Sequence, residues 1–333
     1  MSSSSASASA DASTLGVART SPWREPGTAA LLAIGGLIVA TVVVFLLTTD
    51  GFATWGNVKA ILAASSFIGI LAVGQVGVMI SGNFFSMSLG VQAAAAAMLF
   101  LWSLKFGLIP AILLTIAFGV VISGIQGAAI GLWGANSIIL TIASSALITG
   151  VVILVTGGAT VHPPADGPSI DFLGDHIAGI AVSAFVMVAV ALLVQLHLSR
   201  TRYGAMTFLV GASKAASRAA GLPVAMTVVV AFVIAGICGS VAGIMLSGFQ
   251  QTASLSLEGT LTFDAIAAVL VGGCSVLGGR GSAIATLLGT LGIAAINSAL
   301  VLRDYSGGVQ ILVTGAVVLA AVIVVHLWTK RRR

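Results

Sequence analysis

Long apolar runs, separated by short polar or glycine-rich segments, dominate the chain from residue 28 onwards. The first run, 28–48, has 21 residues and no charged side chain. A helix rises about 1.5 Å per residue, so this run is long enough to cross the roughly 30 Å hydrocarbon core of a bilayer. Because a lipid-exposed backbone must close its own hydrogen bonds, each such run is predicted to form a helix. The later runs are 58–80, 86–103, 108–132, 136–156, 177–198, 226–248, 261–277, 283–302 and 309–327.

This pattern predicts an all-α polytopic membrane protein with about ten transmembrane helices. Two glycine-rich stretches, 81–90 and 270–282, affect the count. Each is consistent with a loop or with a break within the membrane, where non-helical backbone is tolerated if protein surrounds it. The 41 glycines also allow helix backbones to approach closely, and small residues favour helix packing in lipid.

The composition supports the membrane assignment. Hydrophobic residues make up 58% of the chain and charged residues only 7%, whereas soluble domains carry about 25% charged residues. A water-soluble enzyme is therefore excluded. The net charge of +5 comes from few residues in total and does not indicate nucleic-acid binding. Cys238 and Cys274 lie in apolar stretches and are interpreted as packing residues, and the scattered histidines predict no metal site.

The distribution of lysine and arginine predicts that both termini are cytoplasmic. The loop 199–225 has four basic residues and no acidic one, and 330–333 reads Lys-Arg-Arg-Arg. In contrast, 157–176 contains three aspartates and neither lysine nor arginine. Because basic loops tend to stay on the cytoplasmic side, an even number of spans places both basic segments inside and the acidic loop outside.

Three regions follow from these patterns. Residues 1–27 are rich in serine and alanine and are predicted to form a disordered cytoplasmic tail. They are not interpreted as a signal peptide, because no small-residue cleavage site follows the first apolar run. Residues 28–329 form the predicted transmembrane domain, which includes the cytoplasmic loop 199–225, and 330–333 form a basic cytoplasmic tail.

The loop 199–225 contains a predicted short helix over 211–221. Ser213 can cap this helix, and Gly221 together with Pro223 ends it. A helix of this length is marginal alone in water, and this one has almost no apolar face for lipid. It is either a positively charged loop that fixes the topology or a docking helix for a cytoplasmic partner. The candidate docking residues are Gly211, Lys214, Ala215, Arg218 and Gly221.

Polar side chains in or near the apolar runs are candidates for a translocation path or for hydrogen bonds that fix helices. A charge at mid-bilayer costs about 2.5–3.5 kcal/mol, but the aspartate near the start of 261–277 is also favoured there by the helix dipole. Amides between helices contribute about 0.6 kcal/mol each, and as a set they could instead line a path for a neutral, hydroxyl-rich solute. The candidates are Gln75, Asn83, Ser86, Ser88, Asn136, Asp264 and Asn297, and Gln92 and Gln126 are the other amides of this set.

Two energy sources are disfavoured by what the chain lacks. No second carboxylate or histidine accompanies Asp264 in a neighbouring predicted span, which weakens a proton-coupled mechanism. The sequence contains no Gly-x-x-x-x-Gly-Lys-Ser/Thr phosphate loop, so it has no ATPase site of that kind. If ATP drives the process, a partner polypeptide must bind and hydrolyse it.

Four stretches carry a resemblance to a known family: 71–82, 136–141 with 156–158, 200–204 followed by 211–221, and 263–273 with 278–281. They resemble the membrane permease subunits of binding-protein-dependent ABC importers, specifically the ribose/galactoside group of the superfamily that includes branched-chain amino acid permeases. The last stretch, Phe-Asp-Ala-Ile-Ala-Ala-Val-Leu-Val-Gly-Gly followed by Gly-Gly-Arg-Gly, is the most specific. One departure is Ser86, which stands where sugar-type members carry aspartate.

The resemblance implies a multi-subunit importer in a bacterial plasma (inner) membrane. Its partners would be cytoplasmic ATP-binding subunits, an extracytoplasmic solute-binding protein and a second permease copy or paralogue. The chain would be the permease, not an enzyme, and would need no cofactor because the partner binds ATP. The implied solute is small and neutral, a monosaccharide first, with a branched-chain amino acid or a nucleoside-like solute as alternatives. The alternative function is a stand-alone secondary transporter or facilitator.

Overall fold

The computed structural model of the protein describes residues 36, 43–45, 48–49, 51–165, 167–177, 179–258 and 261–330. The predicted tail 1–27, most of the first apolar run and residues 331–333 lie outside the described residues.

Helices account for nearly all regular structure in this part of the chain. They are α1 (Trp55–Ile80), α2 (Leu89–Ser103), α3 (Leu108–Trp133), α4 (Ser137–Thr156), α5 (Asp171–Gly174), α6 (Val182–Arg200), α7 (Arg202–Ala212), α8 (Lys214–Ala219), α9 (Val224–Gln250), α10 (Leu261–Val271), α11 (Ala283–Leu302) and α12 (Gly307–Lys330). Two 3-10 turns, Leu104–Phe106 and Leu255–Glu258, complete the helical elements.

Seven of the described helices are long and apolar enough to cross a membrane. They are α1, α2 with its 3-10 extension, α3, α4, α6, α9 and α11. The segments Leu261–Val271 and Gly307–Val317 are shorter apolar helices. Within the described residues, the all-α membrane architecture is therefore confirmed, and every apolar run predicted from residue 58 onwards contains a helix.

Two predicted runs are wrong in their extent. The run 261–277 is helical only to Val271, because Gly273, Gly278 and Gly279 adopt positive φ angles of 78°, 87° and 74° that end the helix in turns. The run 177–198 begins as a small hairpin, in which β1 (His176–Ile177) pairs antiparallel with β2 (Ile180–Ala181) before α6 starts.

Capping side chains and glycines set the ends of several helices. Asn136 Oδ1 accepts hydrogen bonds from the backbone N–H groups of Ile138 and Ile139 at 3.0 and 3.3 Å, which starts α4. Gly134 and Gly157 end α3 and α4 with φ angles of 69° and 64°. These signals are local in sequence, and for that reason the predicted bounds of α3 and α4 are correct to within one residue.

The centre of the bundle consists of α1, α2 and α9, and small residues bring these helices and α3 together. A Cβ atom on Gly236 of α9 would overlap the carbonyl oxygen of Gly119 on α3. A Cβ atom on Gly243 would lie 2.9 Å from the backbone nitrogen of Ala97 on α2. In contrast, α4 is peripheral, and Leu154 on its outer face is 86% exposed. The outer face of α4 is therefore available to lipid or to another chain.

The helices alternate in direction, so that the loops collect at two ends of the bundle. Ser298 Oγ donates to Asn57 Oδ1 (2.6 Å), which places the end of α11 beside the start of α1. At the other end, the backbone N–H of Ala283 donates to Gln195 Oε1 (2.9 Å), which joins the start of α11 to the end of α6. Which end faces the cytoplasm stays a prediction from the basic loops.

Candidate functional site

Three glycine-containing segments meet at the end of the bundle that includes the loop 199–225. The backbone N–H of Gly279 donates to the carbonyl oxygen of Ile80 at 2.8 Å. A Cβ atom on Gly211 would overlap that same carbonyl oxygen. A Cβ atom on Gly278 would lie 2.7 Å from Cα of Gly82. Only glycine fits at this junction, and it fixes α7 against the segment that follows α1.

The predicted helix 211–221 is divided in the structure. Gly211 belongs to α7, which ends at Ala212, and Ser213 is extended with φ −161° and ψ 106°. Ser213 Oγ then accepts a hydrogen bond from the backbone N–H of Ala216 at 3.2 Å and caps α8. The prediction of one continuous helix is therefore wrong, although the capping role of Ser213 is correct.

Gly221 ends α8 as the sequence indicates. Its φ angle is +73°, and the backbone N–H of Leu222 donates to the carbonyl oxygen of Ser217 at 3.0 Å. This six-to-one hydrogen bond is the Schellman pattern of a helix that terminates in the left-handed conformation. A side chain on Gly221 would meet no atom within 4 Å, so the position requires glycine for its backbone angle and not for space.

The two basic residues of α8 have different environments. Arg218 is exposed, as is Ala215. Lys214 is half-buried, and its Nζ donates to Asn83 Oδ1 at 2.6 Å. Burial is the main reason that the pKa of Lys214 lies below its ordinary value, and the positive charge of Arg218 lowers it further. The i,i+4 spacing of Lys214 and Arg218 predicts that both side chains point the same way. In the structure, only Arg218 of these two remains available to a partner.

Arg218 borders an open cleft of about 490 Å³ beside α8. One wall is the end of α3, and the other is the start of α9 with the residues that precede it. The remaining lining residues are Gly131, Leu132, Leu222, Pro223, Val224, Ala225, Met226 and Val229. The cleft thus combines an apolar floor with a single positive charge at its rim.

A buried polar cluster lies along the non-helical segment 81–88 between α1 and α2. Gln75 Nε2 donates to the carbonyl oxygen of Ser86 (2.7 Å), and the N–H of Ser86 donates back to Gln75 Oε1 (2.9 Å). The hydroxyls of Ser86 and Ser88 are 3.1 Å apart, and Ser88 Oγ donates to Gln126 Oε1 at 3.1 Å. Asn83 Nδ2 donates to Ser81 Oγ at 2.9 Å. Side chains therefore replace the hydrogen bonds that a helix would supply.

Three of the predicted path residues, Asn83, Ser86 and Ser88, therefore lie in one segment, and a fourth, Gln75 of α1, bonds to it. Asn136 is instead exposed as the cap of α4, and Asn297 accepts a hydrogen bond from Thr314 Oγ1 (3.0 Å) between α11 and α12. Asp264 lies partly buried in the first turn of α10. The roles of all seven residues in translocation stay predictions.

Two further residues contribute to this region: Thr141, which was not predicted, and Gln126, which was predicted only as one of the amides in or near the apolar runs. Thr141 Oγ1 accepts a hydrogen bond from the backbone N–H of Met87 at 3.1 Å, and Gln126 holds Ser88. Gln126 Nε2 and Ser137 Oγ are buried without a hydrogen-bond partner among the described residues. An amide in an apolar run gives a signal for Gln126, whereas nothing local in the sequence distinguishes Thr141.

The described ranges contain no group of three or more His, Cys, Asp or Glu side chains that could hold a metal ion. The chemistry available at the cluster is therefore hydrogen bonding by amides and hydroxyls. These groups can bind polar neutral molecules but supply neither a nucleophile pair nor a metal centre.

Comparison with known proteins finds relatives along most of the chain. The family described as the branched-chain amino acid transport system permease component matches residues 57–327. A probable ABC transporter permease of Escherichia coli K12, YphD, is 30% identical over 302 residues, 90% of each chain. The ribose import permease RbsC of Haemophilus influenzae is 30% identical over 299 residues, 86% of this chain and 90% of its own length. The D-allose transport system permease AlsC of E. coli K12 is 28% identical over 320 residues, 92% and 93% of the two chains.

These matches confirm the resemblance that the four sequence stretches carry. Permeases of this kind work with an ATPase and a binding protein as partners. The chain belongs to the branched-chain amino acid transport system permease family, and it is a multi-pass membrane permease component of a bacterial ABC importer, not an ATPase.

Proposed function

We propose that this permease translocates a small neutral, hydroxyl-rich solute, a monosaccharide in the first instance. The observation that carries the proposal is the buried cluster of Gln75, Ser86, Ser88 and Gln126, which consists of amides and hydroxyls. Sugar hydroxyls both donate and accept hydrogen bonds and need no counter-charge. The relatives named for ribose and D-allose support the same solute class.

A branched-chain amino acid is the alternative solute that the family description suggests. Its ammonium and carboxylate groups would each need a charged partner or several hydrogen bonds if they were desolvated. The side chains that hydrogen-bond along 81–88 are neutral except for Lys214, which Asn83 already engages. This chemistry favours a sugar over a zwitterion, and a nucleoside-like solute, which also carries hydroxyls, is the second candidate.

The segment α7–α8 is the proposed contact for the cytoplasmic ATP-binding subunit. Arg218 and Ala215 are exposed, and the apolar cleft beside Arg218 can accept an apolar side chain of a partner. Gly211 and Gly221 give the segment its rigid attachment and its end. Lys214 serves as the internal contact of this segment, because its ammonium group reaches Asn83.

The remaining assembly follows from this assignment. In this assembly, α8 and both termini would lie on the cytoplasmic side of the bacterial inner membrane. The hairpin of β1 and β2 would then face an extracytoplasmic solute-binding protein. A second permease copy or paralogue would pack against this chain, and the exposed outer face of α4 is available for that contact or for lipid. ATP would be bound only by the partner subunits.

Uptake measurements test the solute and the energy source together. Vesicles that contain this chain, its ATP-binding subunit and its binding protein should accumulate radiolabelled D-ribose or D-allose only when ATP is supplied. L-Leucine should not be accumulated. Vesicles with this chain alone should show no uptake of either sugar against a gradient. Ion-driven sugar accumulation by the chain alone would support the secondary-transporter alternative, and ATP-driven uptake of leucine would overturn the sugar assignment.

A further inference from the structure

Two helices of the bundle are shorter than their neighbours. Helix α10 has 11 residues, about 16 Å against a hydrocarbon core of about 30 Å, and α2 has 15 residues, which its 3-10 extension lengthens to an apolar span of 18. Leu89, the first residue of α2, packs beside Gly239, where an added Cβ would lie 3.0 Å from Leu89 Cδ1. Gly239 stands halfway along the 27-residue helix α9. Helix α2 therefore begins at about the middle depth of the bundle.

The first turns of α2 and α10 are in contact at this depth. A Cβ atom on Gly90 would overlap Thr262 Oγ1 and would lie 3.1 Å from the backbone nitrogen of Thr262. The N-terminus of a helix presents backbone N–H groups and a partial positive charge. In transporters, N-termini of broken helices near the bilayer midplane bind polar groups of the substrate. Two such N-termini meet in this chain.

An unpartnered donor lies beside the N-terminus of α2. Gln126 is 3% exposed, and its Oε1 accepts a hydrogen bond from Ser88, the residue that precedes α2. Its Nε2 has no partner among the described residues. A buried donor without an acceptor costs about 1–3 kcal/mol. The amide is thus held at the N-terminus of α2 with hydrogen-bonding capacity that the protein itself does not use.

The chemistry of these groups indicates which ligand fits. Backbone N–H groups and the Gln126 amide require an oxygen acceptor, while the buried hydroxyls of Ser88 and Thr262 can donate or accept. An anion is disfavoured because Asp264, in the first turn of α10, adds a negative charge near the N-terminus of α10. A neutral hydroxyl group can accept hydrogen bonds from these donors without adding a second negative charge.

We propose that the first turn of α2, with Ser88 and Gln126, forms an internal binding site for a hydroxyl group of the transported neutral solute. The inference rests on the proposed function, because it takes the solute to be a polyol such as a sugar. The site is enclosed in the conformation described above, so it must open to water during the transport cycle.

Cysteine protection tests the site directly. In a Cys238→Ala, Cys274→Ala background, Ser88→Cys should react with N-ethylmaleimide in the ATP-energised complex, and D-ribose should slow that reaction at least about threefold. Ser103→Cys, at the other end of α2 and equally buried, is the matched control and should not respond to D-ribose. Absence of labelling at position 88 under turnover, or equal rates with and without D-ribose, would overturn the site.

Substitution of Gln126 supplies an independent measurement. Gln126→Leu should raise the half-saturating concentration for uptake several-fold and change the ratio of D-ribose to D-allose uptake. The control is Gln92→Leu, because Gln92 is an equally buried amide whose Nε2 and Oε1 both have partners, Gly119 O and Ser123 Oγ. If Gln126 has a purely structural role, Gln126→Leu and Gln92→Leu should both lower the amount of complex and leave the ratio of D-ribose to D-allose uptake unchanged. That result would contradict the proposal.

These outcomes separate the inference from the function on which it rests. If the unaltered complex takes up neither D-ribose nor D-allose, the sugar assignment fails. If it takes up D-ribose while Ser88→Cys and Gln126→Leu behave like their controls, the transport function stands and the internal site is rejected.

Discussion

Single side chains hold the non-helical parts of this permease in place. Gln75 supplies both hydrogen bonds to the backbone of Ser86, and Thr141 supplies one to Met87. Phe84, within the same segment, has a φ angle of +53°, a left-handed conformation that is unfavourable for a bulky side chain. The segment 81–88 is therefore ordered by its neighbours and not by its own backbone preferences.

Substitution of Lys214 tests whether the segment α7–α8 is connected to the segment 81–88 through a single side chain. Lys214→Met keeps an apolar stem but removes the donor to Asn83 Oδ1, which leaves that buried oxygen unpaired. We expect a several-fold fall in the amount of D-ribose transported per ATP hydrolysed, because movement of α8 would no longer be transmitted to Asn83 through this hydrogen bond. The quantity to measure is that coupling ratio in vesicles that contain the complete transporter.

Two comparison variants make the result interpretable. Lys214→Arg retains a charged donor and should preserve most of the coupling ratio. Arg218→Met alters only an exposed side chain and should weaken assembly with the ATP-binding subunit instead. An unchanged coupling ratio in Lys214→Met would show that the Lys214–Asn83 contact does not transmit movement.

At the scale of elements, close contact between helices depends on a few glycines. Helices α3 and α9 approach so closely that Gly119 and Gly236 each leave no room for a side chain on the other. Such contacts stabilise helix pairs in lipid through van der Waals packing. The same helix α3 contains Gly124, where an added Cβ would find ordinary contact at 3.6 Å from Val233 Cγ2.

This contrast predicts that a glycine-to-alanine change has opposite effects on stability at the two positions. Gly236→Ala should destabilise the protein by about 1–3 kcal/mol, because the added methyl group forces the two backbones apart. Gly124→Ala should be neutral or stabilising by up to about 1 kcal/mol, since alanine favours a helix and the space is present. Thermal denaturation in detergent, followed by size-exclusion chromatography, measures both. Equal melting temperatures for the two variants would contradict the packing argument.

At the scale of the whole molecule, alternation of the helices brings distant loops together at each end. The segment after α1, the α7–α8 segment and the turn before α11 share one end through Gly82, Gly211 and Gly278. At the opposite end, Arg303 Nη2 donates to the carbonyl oxygen of Thr48 at 2.7 Å. The predicted inside and outside loops are thus separated in space, which is the arrangement that a membrane requires.

Orientation is open to a direct test with the two native cysteines as an internal control. Cys238 and Cys274 are buried and should not react with a membrane-impermeant maleimide in the folded protein. Ser213→Cys, in the proposed cytoplasmic segment, should react only after cells are permeabilised, whereas Ser169→Cys should react in intact cells. Both positions are exposed, so a difference in labelling reports the side of the membrane. The reverse pattern would invert the proposed topology.

The helices, and the short helix α8 proposed to contact the partner, could be predicted from the sequence because their signals are local. Apolar length identifies a spanning helix, and Ser213 with Gly221 identifies the start and end of a short one. The residues of the candidate site could be predicted only in part. Gln75 and Ser86 were identifiable as polar residues near apolar runs, yet nothing local indicates that they bond to each other.

The sequence by itself determined that this protein is a helical membrane permease with a basic loop at 199–225, because hydrophobic length, charge and family motifs are read along the chain. Only the tertiary structure decided that α2 and α10 begin inside the bundle and that Gln126 meets Ser88 there. It also decided that Asn136 lies exposed at the surface and not in the buried cluster. The contact of Gln126 with Ser88 joins residues 38 positions apart, and the path of the backbone through its glycine turns sets such contacts.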